Sequence, residues 1–135
     1  MNLIKRAITV LLGVALMVGI NSCASLYQDD LSNVCRDQSY RGKLVLQGIC
    51  MNYVIEMISN GADTSLYELV WTNELTNTEY ANVFGLGSIC DFPDSLREGD
   101  EFNFVVVDDM SDTCAVCEAY SPTPSRKLNI AVCEL

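Results

Sequence analysis

Hydrophobic and polar residues follow two different patterns along this chain. Residues 7–20 form one apolar run, broken only by Thr9, directly after Lys5 and Arg6. A basic start followed by roughly 7–15 apolar residues predicts a secretory signal, whereas a membrane-spanning helix needs roughly 20. Further along the chain, apolar and polar residues alternate over short segments, which is the pattern of strands with one buried face.

The alternating segments predict an all-β domain. In Glu101–Val107, for example, Phe102, Phe104 and Val106 lie on one face of a predicted strand. Gly and Asn residues between the segments are typical of turns. The predicted strands are 43–51, with a bulge at Gly48, then 53–58, 66–72, 79–84, 101–107 and 127–133, with a short edge strand at 114–120.

Short strands at this spacing predict a small antiparallel barrel, closed or partly open, of five to six strands. A small β-sandwich is the alternative. Residues 91–99 predict one helical turn or a compact loop. The strand rhythm over residues 42–133, with Gly99-Asp100 leading into a strong strand, resembles that of an OB-like barrel. Barrels of this type bind on one face and through the loops around it, so the resemblance implies a groove there.

The four residues Ile20–Cys23 resemble a lipobox, the motif that is cleaved before a cysteine which is then acylated. Asn21 replaces the usual small residue, which is similar to the lipoproteins of the Bacteroidota. The resemblance implies anchoring in a lipid bilayer through acylated Cys23, and more than one acyl chain gives stable anchoring. Ala24 implies the outer membrane of the cell envelope, facing the periplasm or the surface. The alternative is an ordinary signal peptide with Cys23 unmodified.

These interpretations divide the chain into a signal peptide at 1–22, a lipidated N-terminus and polar tether at 23–41, and a disulfide-stapled β domain at 42–135. Cleavage would leave 135 − 22 = 113 residues, enough for one domain. It would remove two basic residues, so that 6 basic face 18 acidic ones and the formal charge moves from −10 to −12. This balance argues against a nucleic-acid partner, which requires basic patches.

Six cysteines remain after the lipidated one, and an even set in an exported chain predicts disulfide bonds. Six cysteines allow 15 pairings. We predict Cys50–Cys90, Cys114–Cys117 and Cys35–Cys133, the last of which would staple the tether to the final strand. Two alternatives are a redox-active C-x-x-C at Cys114 and Cys117, and a zinc ion bound by those two with Cys50 and Cys90.

Other combinations of residues give little indication of catalysis. The chain has no histidine, which excludes a Ser-His-Asp triad or a Cys-His dyad within it. Carboxylates cluster at 91–101 without the spacing that marks a glycosidase pair, and at 108–112 without a complete calcium-loop motif. We therefore predict no catalytic residue, no cofactor and no metal site. The possible ligand or partner face consists of Trp71, Tyr120, Asp108, Asp109 and Asp112.

The sequence thus favours a membrane-anchored, non-enzymatic binding or structural module of the cell envelope, whose protein or small-molecule partner it does not name. One alternative is an inhibitor of a basic secreted enzyme such as lysozyme, since charge complementarity speeds such docking. The other is a thiol–disulfide protein that uses Cys114 and Cys117.

Overall fold

A computed structural model describes residues 26–108, 114–115 and 117–133, with side chains from residue 31 onward. One helix precedes the strands, and two short 3₁₀ turns, at Ile49–Met51 and Thr64–Leu66, follow β1 and β2. The helix and strands are α1 (Leu26–Gln38), β1 (Tyr40–Gln47), β2 (Tyr53–Met57), β3 (Glu68–Asn73), β4 (Thr78–Leu86), β5 (Glu101–Val106), β6 (Lys127–Leu128) and β7 (Ile130–Val132).

The strands form one sheet in the order β3-β4-β2-β1-β5-β7, with antiparallel neighbours throughout. The sheet does not close completely, but its last segment touches both sides of the opening. Leu128 of β6 pairs in parallel with Leu86 of β4, and Ile130 of β7 pairs antiparallel with Val106 of β5. The predicted all-β fold is confirmed, and the single, unclosed sheet is consistent with the predicted small, partly open barrel or the alternative sandwich. Seven strands replace the expected five to six because the final segment divides at Asn129.

The core lies inside the curved sheet and is built mainly from alternating strand positions. Leu44, Ile55, Phe84, Phe104 and Ile130 are fully buried there. The aromatic rings of the core are in tilted contact with one another. The ring centroid of Phe104 lies 5.6 Å from that of Phe84 and 6.0 Å from that of Phe102. This confirms the alternation from which the strands were predicted.

The 91–99 connection closes one side of this core. It is a compact loop, one of the two predicted forms, and it buries Phe92 and Leu96 among the core side chains. Phe92 makes edge contacts with the rings of Tyr53 and Phe102. The loop therefore adds buried apolar area, which matters because a small domain buries a smaller fraction of its surface than a large one.

The segment predicted as a polar tether is largely helical, since α1 occupies Leu26–Gln38. Leu31 and Cys35 lie one turn apart on one face and pack against Val105, Ala131 and Cys133, outside the main core. A stripe of two residues is too short to appear as a helical period in the sequence. None of the helices formed by the described residues is both long and apolar enough to cross a bilayer.

Three smaller predictions about the strands are wrong. The irregularity in β1 falls between Leu44 and Leu46, not at Gly48, which lies beyond the strand. The described residues of 114–120 form no strand. The predicted single strand at 127–133 changes partner at Asn129, whose carbonyl accepts a hydrogen bond from the Val107 N–H at 3.0 Å. Each error concerns how a segment pairs, which alternation alone does not encode.

Candidate functional site

One side of the candidate site is a two-stranded ribbon formed by residues 70–81 of β3 and β4. The β4 ladder with β2 covers Val83 to Gly85, whereas its ladder with β3 continues to Thr78. Asn82, where β4 leaves β2, has a left-handed φ of 54°, which asparagine tolerates better than most residues. Asn73 fixes the turn, because its side chain accepts a hydrogen bond from the Leu75 N–H at 2.9 Å.

The opposite side is the segment Cys117–Pro124, called the wall below. The Cys50–Cys117 bridge ties it to the β1–β2 connection, with the Cα atoms 5.3 Å apart. The Cys90–Cys114 bridge ties the preceding residues to the β4–β5 connection, with the Cα atoms 5.4 Å apart. Because β1 and β4 run in the same direction, both bridges attach at the same end of the barrel.

The wall also lies directly against the barrel. A Cβ at Gly48 would stand 2.6 Å from the Ser121 Oγ and 2.4 Å from the carbonyl oxygen of Asn52, so only glycine fits there. Within the wall, Pro122 and Pro124 are buried. Proline fixes its own φ, so the wall has few alternative conformations once the two prolines are packed.

Between the ribbon and the wall lies a groove of about 360 Å³. Trp71, from the ribbon, is half-buried and stacks on Tyr80 with ring centroids 5.6 Å apart. Tyr120, from the wall, is 69% exposed, and its hydroxyl donates a hydrogen bond to the carboxylate of Glu74 on the ribbon. This contact joins the two sides. The remaining polar lining includes Asn52, Thr72, Ser121, Thr123 and Lys127.

A second depression, of about 470 Å³, adjoins the groove and shares Lys127 with it. Its other lining residues are Glu68, Ser125 and Arg126. The Glu68 carboxylate accepts a hydrogen bond from the Arg126 N–H at 3.0 Å, which fixes this side of β3 to the chain that leads into β6. The candidate site therefore consists of two largely polar depressions that both border Lys127, one of which carries two aromatic rings.

The electrostatics at the aromatic end are set by one contact. The hydrogen bond to Glu74 raises the pKa of the Tyr120 hydroxyl above its ordinary value, because the bond favours the protonated phenol. At neutral pH Tyr120 is a neutral ring with a polar tip, as a tyrosine with the ordinary pKa near 10 also is. Such a side chain suits a rim where one part of a ligand is apolar and another is wet.

The structure brings together only some of the residues predicted to form a ligand face. Trp71 and Tyr120 line the same groove, although they are 49 positions apart in the sequence. Asp108 is exposed after β5 and does not line either depression. Asp109 and Asp112 lie outside the described residues, as does Cys23. Sequence reasoning missed Glu74 as a partner of Tyr120, and nothing in a polar turn 46 positions away could have indicated it.

All six predicted cysteines form disulfide bonds, but two of the three predicted pairings are wrong. Cys35–Cys133 is confirmed, with the Cα atoms 5.7 Å apart. The predicted Cys50–Cys90 and Cys114–Cys117 are replaced by Cys50–Cys117 and Cys90–Cys114. The reason is the path of the chain, which passes from the β4–β5 connection to the β1–β2 connection between positions 114 and 117.

These pairings remove the structural basis for both alternative uses of the cysteines. A redox C-x-x-C forms its bridge between its own two cysteines, whereas Cys114 and Cys117 are bonded to different partners. The four cysteines considered as zinc ligands are the same four that make these two bridges. Within residues 26–108, 114–115 and 117–133, no group of three or more metal-ligating side chains could hold an ion.

The acidic cluster at 91–101 has structural partners. Glu98 accepts a hydrogen bond from the Gln47 N–H at 3.1 Å, and Asp100 accepts one from the Arg97 N–H at 2.8 Å. Glu101 pairs with Arg41 at 2.5 Å. These three carboxylates hold the compact loop and the start of β5 in place, so each of them has a structural role.

The fold and the groove define a small disulfide-bonded all-β protein with an open aromatic site. Three bridges in a chain of this size are compatible with a small secreted or envelope protein. No family model, no curated protein and no solved structure matches the chain. Its function is therefore argued from the groove and the sequence.

Proposed function

We propose that this chain is a lipid-anchored protein of the cell envelope that acts as a non-enzymatic binding module, with its ligand site in the groove between the ribbon and the wall. The observation that carries this proposal is the convergence of Trp71 and Tyr120 on one groove. Ligand sites are typically concave and lined by aromatic side chains with a few polar groups. The groove is concave and carries two such rings, while most of its other lining residues are polar.

The groove is also built to keep its shape without a ligand. The ribbon is fixed by its ladder. The wall is fixed by the Cys50–Cys117 bridge and two buried prolines, and the Cys90–Cys114 bridge fixes the residues just before it. A site that is already ordered loses less conformational entropy when it binds, which strengthens binding. This argues for recognition by a preformed surface.

A non-enzymatic role is supported by the chemistry at hand. The chain has no histidine as a general base, and the clustered carboxylates of residues 98–101 hold backbone N–H groups or an arginine. The groove contains Glu74, but this carboxylate accepts the Tyr120 hydroxyl. The groups present are suited to orienting a ligand.

The envelope location rests on the lipobox resemblance. The position of α1 then determines how far the β domain lies from the membrane. The helix begins at Leu26, only three positions after Cys23, and its Cys35 is bonded to Cys133, the residue that follows β7. If Cys23 is acylated, the β domain is held close to the bilayer surface. A Cys23→Ala variant should lose fatty-acid incorporation and move from the membrane to the soluble fraction. Unchanged fatty-acid labelling of that variant would contradict the anchor.

Trp71 makes the binding proposal directly testable, because it is the only tryptophan in the chain. Its fluorescence should change saturably when a ligand enters the groove. Residues 24–135, produced in an oxidising compartment, would be screened against sugars, peptides and small metabolites. Tyr120→Ala should weaken any hit at least tenfold, whereas Val34→Ala, an exposed change on α1 that borders neither depression, should not. Equal effects of the two variants would contradict a site in the groove.

A further inference from the structure

The charges along the groove and the second depression compensate one another. Glu68 and Glu74 contribute two carboxylates, while Arg126 and Lys127 contribute two cations. This balance contrasts with the processed chain as a whole, in which 18 acidic residues would face 6 basic ones. A surface with both signs and no excess of either does not select a charged ligand by attraction alone.

The polar groups that line this surface include both donors and acceptors. The carboxylates accept hydrogen bonds, Lys127 and Arg126 donate them, and Asn52 does both. Hydroxyls of Ser121 and Thr123 add further groups that donate and accept. A ligand that matches this mixture must itself carry many groups that do both, and a sugar hydroxyl is such a group. Hydrogen bonds to the charged side chains would be the stronger ones.

The two aromatic rings can contact the apolar face of a sugar, which the polar groups cannot do. The C–H groups on one face of a sugar ring are apolar and slightly positive, and they fit over the negative face of an aromatic ring. Tyr120 is largely exposed, and Trp71 is already braced from one side by Tyr80. Both rings can therefore be covered by a ligand without rearranging the core.

The shape of the site favours a chain over a single small molecule. The two depressions, of about 360 and 470 Å³, both border Lys127 and so lie on either side of one side chain. Each has the size of an ordinary small-ligand site, and a ligand that fills both must be extended. Given that the groove is a binding site, as proposed above, we infer that it takes a neutral oligosaccharide.

An extended peptide is the rival occupant. β3 is the outermost strand of the sheet order, and a peptide could add to a free strand edge. Binding of that kind uses backbone hydrogen bonds along β3 and has no need for the Tyr120 ring or the Lys127 ammonium. The compensated charges and the two rings therefore favour the sugar.

The test is a titration of residues 24–135 with defined ligands, followed by Trp71 fluorescence and calorimetry. The panel contains neutral gluco-, manno-, xylo- and chito-oligosaccharides, acidic oligogalacturonides, and peptides of either charge. We expect saturable binding of a neutral series whose affinity rises with chain length and changes little with salt. Tyr120→Ala and Lys127→Ala should each weaken it at least tenfold, while Tyr120→Phe and Val34→Ala should stay within about threefold.

The outcomes separate the two proposals. Binding of peptides or acidic sugars alone, with the same dependence on Tyr120, would overturn the inference and leave the binding function in place. Binding of a neutral sugar that is indifferent to both Tyr120→Ala and Lys127→Ala would overturn the site. Failure of every ligand in the panel, with the fold intact by circular dichroism, would overturn the inference, and the wider screen described above would then decide the binding function.

Discussion

Removal of the Cys35–Cys133 bridge tests how helix α1 is held to the barrel. The change is Cys35→Ala with Cys133→Ala, which opens the bridge and keeps small apolar side chains beside Val105 and Ala131. Isolated helices of this length are marginal in water, and α1 packs through only a few apolar groups. We therefore expect both a loss of stability and a loosened helix.

The size of the loss follows from the loop that the bridge closes. It links residues 98 positions apart, and closing a free loop of that length would stabilise the fold by about 4.7 kcal/mol. Cys50–Cys117 stays closed in the variant, however, so the relevant loop runs from Cys35 to Cys50 and from Cys117 to Cys133. This shorter path of about 31 residues reduces the expected loss of unfolding free energy to about 3.7 kcal/mol.

Equilibrium unfolding in urea, followed by Trp71 fluorescence, would measure the loss, and hydrogen exchange would report on α1. The matched control is Cys90→Ala with Cys114→Ala, which opens a loop of 24 residues and should lower the unfolding free energy by about 3.4 kcal/mol. The control should leave the exchange of α1 amides close to that of the unaltered protein. A loss below about 1.5 kcal/mol for the Cys35 variant, or unaltered exchange in its α1, would refute the reasoning.

Three further changes probe the core and the groove. Ser88→Ala removes a buried hydroxyl that donates to the Ile130 carbonyl at 2.7 Å and accepts the Ile130 N–H at 2.8 Å, so urea unfolding should show a loss of about 2 kcal/mol. Gly42→Ala would place a methyl group 2.9 Å from a buried aromatic ring, and the same assay should show a loss of about 1–3 kcal/mol, with no loss arguing against tight packing there. Because the pKa of Tyr120 is raised in the folded protein, the hydrogen bond to Glu74 contributes to stability below the ordinary tyrosine pKa near 10, and this contribution is lost as pH rises through the folded-state pKa. Ultraviolet titration of the Glu74→Gln variant should show the phenol ionising at lower pH than in the unaltered protein.

The strands could be predicted because their burial pattern is local. In the first half of β5, Phe102 and Phe104 are buried while Glu101 and Asn103 are exposed, as the alternation predicts. The alternation ends there, because Val105 is buried against α1 and Val106 is exposed. The last strand segment was harder, because both of its faces are covered. Leu128 and Ile130 face the main core, while Ala131 and Cys133 face α1. Without knowledge of α1, the second face gave no reason to expect burial.

The groove could be predicted only in part. Trp71 and Tyr120 stand out as aromatic residues next to turn signals, and this was enough to single them out. Their meeting depends on the left-handed backbone at Asn82, where β4 leaves β2. It also depends on the Cys50–Cys117 bridge, which joins residues 67 positions apart. Neither feature can be recognised from the spacing of residues in the sequence, because closure of a long loop depends on the whole fold.

The incorrect disulfide pairing and the incomplete site have the same cause. A Cys114–Cys117 bridge would tie the wall only to the residues just before it, and the position of Tyr120 would then depend on the packing of two prolines. The actual bridges attach this part of the chain to the β1–β2 and β4–β5 connections at one end of the barrel. Tyr120 follows three positions after Cys117, so the bridge that stabilises the fold also sets the position of the ring that faces Glu74. It follows that these two bridges serve the groove as well as the fold, whereas Cys35–Cys133 serves the helix.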